Sequence, residues 1–438
     1  MNKLRQSNQP ESSKTSSASF IKRGVAIVGS SGLVFGFGLT GATSAGANGA
    51  VDCTARTVTA STNPVDPTAN VLAIDVMLAS AGVVCLSGDF ILDSLISVQR
   101  DVHFYGIGNT SVKTNPVDFV FFSDGDANGT FWDITIENLT VKDSVNGVFA
   151  KDVFIIDSTF SGITQGAVYA YGSVTVSNST FINNTSGVNG GAITAGSDPG
   201  DSVHITNSTF QGNSAVGEGG AISASEGEVY FSTFVNNVAA TPPAEPGDIP
   251  GNAIYKSGMG TFTLAGNIFA GNSFFPQLGV GVPSTTQFTD AGGNIFSTSS
   301  ITETDIAQDN SSVFGATLTS LFGTNSPALA TYAPNTNGTQ TIALGPGSPA
   351  LNAVPDLAPF NLVTLDQRGA TRSFPADAGA FEGFVIPTST PTSTTPAVLA
   401  KTGNENLFWS TLASGTLIVF GTLVAVVISR IRRRTSNL

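Results

Sequence analysis

The sequence predicts an all-β chain wound as a parallel solenoid (a β-helix), opened by one short helical cap and followed by a C-terminal transmembrane helix. Two observations carry the solenoid. From about Ile155 to Ser273 the chain repeats one message: a short strand, Asn-Ser-Thr-Phe or a variant, an Asn, then Gly-Gly-Ala-Ile. Asn178-Ser179-Thr180-Phe181 is followed by Gly190-Gly191-Ala192-Ile193, and Asn207-Ser208-Thr209-Phe210 by Gly219-Gly220-Ala221-Ile222, with weaker copies on either side. Self-similarity at ~20–50 residues marks stacked repeats. Composition agrees: charged residues are only 11% against 49 glycines, a balance that favours short strands and tight turns over helices. An up-and-down barrel or β-sandwich would instead call for alternating strands without a corner motif.

Each motif letter has a physical task. Phe160, Phe181, Phe210, Phe234 and Phe269 are 21, 29, 24 and 35 residues apart. They are expected to point inward and stack from coil to coil. The glycine pair permits positive φ and close passage of backbone at a corner. The Asn three residues after each Phe (Asn184, Asn213, Asn237, Asn272) is expected to occupy a left-handed corner and bond to the next coil. With parallel strands about 4.8 Å apart, eight to ten coils make a rod of about 40–50 Å.

The ends are read separately. Residues 1–47 form a signal peptide, with a basic start (Lys3, Arg5, Lys14, Lys22, Arg23), an uncharged stretch and small residues for cleavage. A single membrane span is the rival, but glycine and serine dilute the run. Residues 48–103 form the N-terminal cap, with a short helix over Asn70–Ser80, capped by Asn70. Cys53 and Cys85 in an exported chain point to one disulfide closing a loop; two free thiols or half a metal site are the alternatives. Coils occupy 104–300, and 301–386 hold the last coils and a C-terminal cap. Pro387–Pro396 lies in a Pro/Thr stalk (387–398) that cannot build a core. Within 399–438, Leu407–Ser429 is uncharged for 23 residues, about 35 Å as a helix, and an arginine cluster follows.

Four stretches resemble known families. Val84-Cys85-Leu86-Ser87-Gly88-Asp89-Phe90 after a helix resembles the start of secreted right-handed parallel β-helix proteins. The Gly-Gly-Ala-Ile and Phe-x-x-Asn repeats resemble those of the chlamydial polymorphic outer-membrane proteins, which are surface adhesins. The run from Leu344 to Glu382, with Asp366, Arg368, Arg372 and Asp377, resembles the terminal segment of the choice-of-anchor group of exported β-helices. Its charged residues are read as guanidinium–carboxylate pairs tying the last coil shut. Finally, Leu399-Ala400-Lys401-Thr402-Gly403, then an apolar span and an Arg tail, resembles a Gram-positive cell-wall sorting signal. That resemblance implies that sortase cuts between Thr402 and Gly403 and joins Thr402 to peptidoglycan, with the membrane a transient intermediate. Ala400 stands where the common pattern has Pro, as in variants read by a sortase class of high-GC Gram-positives. A membrane anchor that is never cut is the alternative.

What the chain binds is less sharply written. Residues 48–402 carry 29 acidic and 9 basic groups, near −20, which repels nucleic acid and anionic membranes. No cofactor, metal site or catalytic residue is assigned. Glu226 and Glu228 share a strand face, with Glu218, Asp198 and Asp201 in nearby loops, so hydrolysis by paired carboxylates stays open. His204 is read as an outward polar residue and His103 as structural. The favoured reading is an adhesin-like or glycan-binding surface protein whose partners are sortase, peptidoglycan and a glycan or host-surface ligand. The alternative is a wall-bound polysaccharide hydrolase or lyase.

Overall fold

A computed structural model describes residues 51–383, apart from 62–65, 115–118, 127–128, 197–199, 241–250, 259, 273–277, 281–287, 298–305, 308–310, 333–337 and 357–359. The stretches expected to form a signal peptide (1–47), a stalk (387–398) and a membrane span (Leu407–Ser429) lie outside the described residues, as do Leu399–Gly403 and Asp198. Among the described residues no helix is long and apolar enough to cross a membrane.

The described chain is mostly β, in long parallel sheets of 19, eight and three strands. Each strand pairs with its counterpart one repeat later: Val174–Ser177 with Ser202–Thr206, then with Glu226–Tyr230, then with Phe262–Ala265. The large sheet therefore contains two adjacent columns, which we term first and second. The eight-stranded sheet forms a third side, including Asn146–Ala150, Val168–Ala170 and Ile193–Thr194.

The repeat motif can be read atom by atom from this register. Phe160, Phe181, Phe210, Phe234, Phe269, Phe296 and Phe314 stack down the second column with centroids 4.8–5.2 Å apart and planes within 15°. That spacing is the coil spacing itself, so each ring between Phe160 and Phe314 buries both faces against its own kind. Asn184, Asn213, Asn237 and Asn272 are fully buried and form a ladder: each of the first three donates its Nδ2 to the next Oδ1 at 2.9–3.0 Å. Their backbones are not the left-handed ones. Positive φ falls one residue earlier, at Asn183, Gly212, Asn236 and Gly271, and again at Asn178, Asn207 and Gly266. The reason is satisfaction of hydrogen bonds: a buried amide with donors and an acceptor serves two coils, whereas the left-handed corner needs only a residue that tolerates φ near 50°. Within the Gly pairs, Gly190 and Gly219 take positive φ. A Cβ on Gly191 or Gly220 would fall about 2.2–2.3 Å from a carbonyl of the next coil, so the second glycine is there for close approach.

The helix α1 spans Pro67–Leu78, not Asn70–Ser80, and its N-cap is Asp66, whose carboxylate accepts from Ala69 N. Pro67 opens it because the first turn needs no N–H donor there. Asn70 is instead buried inside the helix, accepting from Ser61 N and donating to Ile91 O, in line with Ile74 and Leu78. Cys53 and Cys85 are disulfide-bonded, which ties the strand Thr57–Thr59 to Val83–Leu92 beneath the helix.

The C-terminal stretch departs from the expected cap. After Val313–Ala316 and the short helix α2 (Leu318–Phe322), it returns along the outer side of the second column. Gln367 donates to Thr180 Oγ1 (2.9 Å) and accepts from Thr209 Oγ1 (2.6 Å), more than 150 residues away in sequence. Gln211 donates to Pro327 O, Ala380 N donates to Thr233 Oγ1 and Gly379 N to Gly266 O. The strap covers Val235, Ile268 and Ala270, side chains that would otherwise be apolar and exposed. Arg368 pairs with Asp366 at 2.6 Å and Arg372 with Glu382 at 3.2 Å, so these ion pairs brace the strap internally rather than closing the last coil. Arg372 also lies 4.1 Å over the ring of Phe231, a bulky residue at φ 48°, and donates to Asn207 Oδ1.

Candidate functional site

Outward positions carry any ligand chemistry, and alternation along a strand decides which they are. In Val168–Ala170 and the residue after it, Val168 and Ala170 are buried while Tyr169 and Tyr171 are 40% and 49% exposed. In Asn146–Ala150, Val148 and Ala150 point in and Phe149 out. Register then places Phe122, Phe149 and Tyr169 in one outer column. Their rings stack at 4.9 and 5.4 Å with planes 14° and 12° apart. Phe119 packs 5.4 Å from both Phe122 and Phe149. Phe131 and Tyr171 pair at 4.7 Å, and Tyr171 stands edge-on to Phe149 and Tyr169. Six aromatic residues thus gather on the outside of the eight-stranded sheet.

At the corner beside them, Asp101, Asp133 and Asp152 stack on successive coils. Asp101 accepts from Asp133 N, Asp133 from Asp152 N and Asp152 from Ser173 N, at 2.7–3.3 Å. Lys151 stands 3.1 Å from Asp152 and 3.9 Å from Asp133. Burial, then the neighbouring Asp152 charge, pushes the Asp133 carboxyl up to about 6, against the pull of Lys151. The corner adjoins the aromatic face: Tyr171 N donates to Ala150 O, and a Cβ on Gly172 would meet Asp152 Oδ1. Flat apolar rings beside carboxylates that accept hydrogen bonds can hold a molecule with an apolar C–H face and hydroxyl donors.

The residues singled out from sequence are distributed differently. Glu226 and Glu228 do share the outward face of Glu226–Tyr230. His204 is outward on Ser202–Thr206, its Nε2 2.8 Å from Ser202 Oγ and its Nδ1 3.7 Å from Glu228 Oε2, an ion-pair approach rather than a hydrogen bond. The contact with His204 holds the Glu228 carboxyl below its usual range, and burial followed by the Glu228 charge raises the Tyr230 phenol. Glu218 and Asp201 sit on turns instead: Gly190 N donates to the Glu218 carbonyl and Ser225 Oγ to that of Asp201. His103 Nε2 is 2.9 Å from Glu137 without hydrogen-bond alignment. Among the described residues no group of three or more His, Cys, Asp or Glu is arranged to hold a metal ion.

The aromatic face was not anticipated, although its signal is present. Val168-Tyr169-Ala170-Tyr171 alternates small or branched with aromatic residues, and within a parallel coil that pattern sends the aromatics outward. No protein-family model matches the chain, and no curated protein matches it.

Proposed function

We propose that this chain is a right-handed parallel β-helix displayed on a Gram-positive cell wall, fixed covalently by sortase at Thr402, and that it binds glycans through its outer aromatic face. The observation that carries the binding reading is the cluster of Phe119, Phe122, Phe131, Phe149, Tyr169 and Tyr171 on an outer sheet face, bordered by Asp133 and Asp152. Exposed apolar surface is costly to keep unless used. Pyranose rings offer C–H faces to aromatics and hydroxyls to carboxylates. Wall attachment rests on Leu399-Ala400-Lys401-Thr402-Gly403 with the apolar stretch and arginines after it.

The intact exported chain on a glycan array tests the binding reading. Retention on at least one oligosaccharide class is expected, with affinity lowered about two- to tenfold by Tyr171→Ala, since one aromatic contact contributes about 0.5–1.5 kcal/mol. No retention, or retention indifferent to Tyr171→Ala and Tyr169→Ala together, overturns it. The second reading, a polysaccharide hydrolase or lyase, is favoured only by the shared face of Glu226 and Glu228.

A further inference from the structure

Three polar side chains on two adjacent coils stand close together, apart from the aromatic face. Ser202 and His204 alternate on one strand, so both leave the same side of the sheet. Glu228 stands at the register position directly opposite His204 in the next coil. The two imidazole nitrogens therefore have different neighbours: Nε2 has Ser202 Oγ at 2.8 Å, and Nδ1 has Glu228 Oε2 at 3.7 Å. An ionised carboxylate 3.7 Å away attracts an N–H and repels a lone pair, so its charge favours the tautomer with hydrogen on Nδ1. Nε2 then keeps its lone pair, and the Ser202 hydroxyl becomes the donor to it. This is the division of roles that a serine nucleophile needs: a base on the hydroxyl, and an acid residue that orients the base and stabilises it once protonated. Glu228 is 44% exposed and held ionised by its neighbour; Val203 and Ile205, on either side of His204, are buried and fix the strand beneath it.

We infer that Ser202 is a nucleophile activated by His204 and positioned through Glu228, able to take the acyl group from short acyl esters. In the first step Ser202 Oγ bonds to the ester carbonyl carbon and the ester C–O bond breaks. The hydroxyl proton passes to His204 Nε2 and from there to the leaving alcohol. Water then attacks the acyl-serine and gives a proton to Nε2, which returns it to Oγ as the carboxylic acid departs. Water is the only co-reactant.

The intact chain is treated with a fluorophosphonate probe, and labelled peptides are identified by mass spectrometry. The probe's P–F bond breaks as Oγ–P forms, and fluoride leaves. Ser202 is expected to label at least tenfold faster in the folded chain than in the same chain in urea. His204→Ala should slow labelling at least tenfold, within the ~10²–10⁴ range of general-base assistance. Glu228→Gln should slow it several-fold, and Glu228→Asp should restore part of the rate, which a merely structural role would not do. Hydrolysis of p-nitrophenyl acetate should follow the same order and vanish in Ser202→Ala. Equal labelling of folded and urea-treated chain, or of wild type and a folded His204→Ala, overturns the proposal. The folded-against-urea comparison needs no variant, so a misfolded substitution leaves the test intact.

Discussion

Asn183 and Asn184 are adjacent and chemically identical, yet the fold gives them opposite tasks. Asn183 is exposed at φ 51°, a conformation glycine adopts freely, so Asn183→Gly should cost about 1 kcal/mol at most, chiefly through chain entropy. Asn184 is fully buried. Its Oδ1 accepts from Ile163 N at 3.1 Å, and its Nδ2 donates to Phe160 O at 3.0 Å and to Asn213 Oδ1 at 2.9 Å. Asn213 Oδ1 keeps a second donor, the Asn184 backbone N–H, after truncation. Asn184→Ala therefore deprives Ile163 N and Phe160 O of their side-chain partner. At about 1–3 kcal/mol for each buried group left unpaired, the loss is about 2–6 kcal/mol. Urea unfolding of the intact chain, followed by far-UV circular dichroism, measures both variants. Because the sites share a coil, any departure from two-state unfolding affects them alike. Equal costs, or a larger cost for Asn183→Gly, would refute the assignment of the buried ladder to the second asparagine.

Three further outcomes are expected. Gln367→Ala removes the strap's bonds to Thr180 and Thr209 and should expose residues 323–383 to limited proteolysis while the coils stay folded. Asp133→Asn should change the pH dependence of stability. The native carboxyl titrates near 6, above its ordinary value, so the folded state binds the extra proton and wild-type stability falls as pH rises from about 4 to 6. The variant lacks that loss, so its melting temperature should exceed wild type at pH 7.5 and converge with it near pH 4. Muramidase digestion of the producing cell's wall should release protein whose C-terminal protein residue is Thr402, joined to wall peptide; a chain ending at Leu438 would contradict wall attachment.

The inside of the coils was legible in sequence because it is local and periodic. Phe181 and Phe210 recur in the same motif, and the same motif implies the same register. The left-handed corner falls one residue before the expected one: at Asn183-Asn184 and Asn236-Asn237 two asparagines fit one pattern and only backbone φ separates them, whereas Gly212 and Gly271 mark the corner in the other two copies. At the helix, Asn70 looked like a cap, but Asp66 ahead of Pro67 provides a better one. The strap was hidden by its range. Gln367 meets Thr180 across 187 residues, and nothing local to either announces the contact. A trace existed in the outward positions of the second column, which pass from Thr159 and Ser161 to Val235, Ile268 and Ala270 where the strap lies. The aromatic face was readable but lay outside the motif, in Val168–Tyr171.

The most direct measurement uses the six tyrosines as reporters. The full-length chain, carrying isotope-labelled tyrosine, is titrated with the oligosaccharide retained on the array, and ring resonances are assigned by single Tyr→Phe changes. Glycan binding on the outer aromatic face predicts saturable shifts at Tyr169 and Tyr171, with Tyr105, Tyr230, Tyr255 and Tyr332 unmoved. Shifts confined to those four, with Tyr169 and Tyr171 unchanged at saturation, would contradict it.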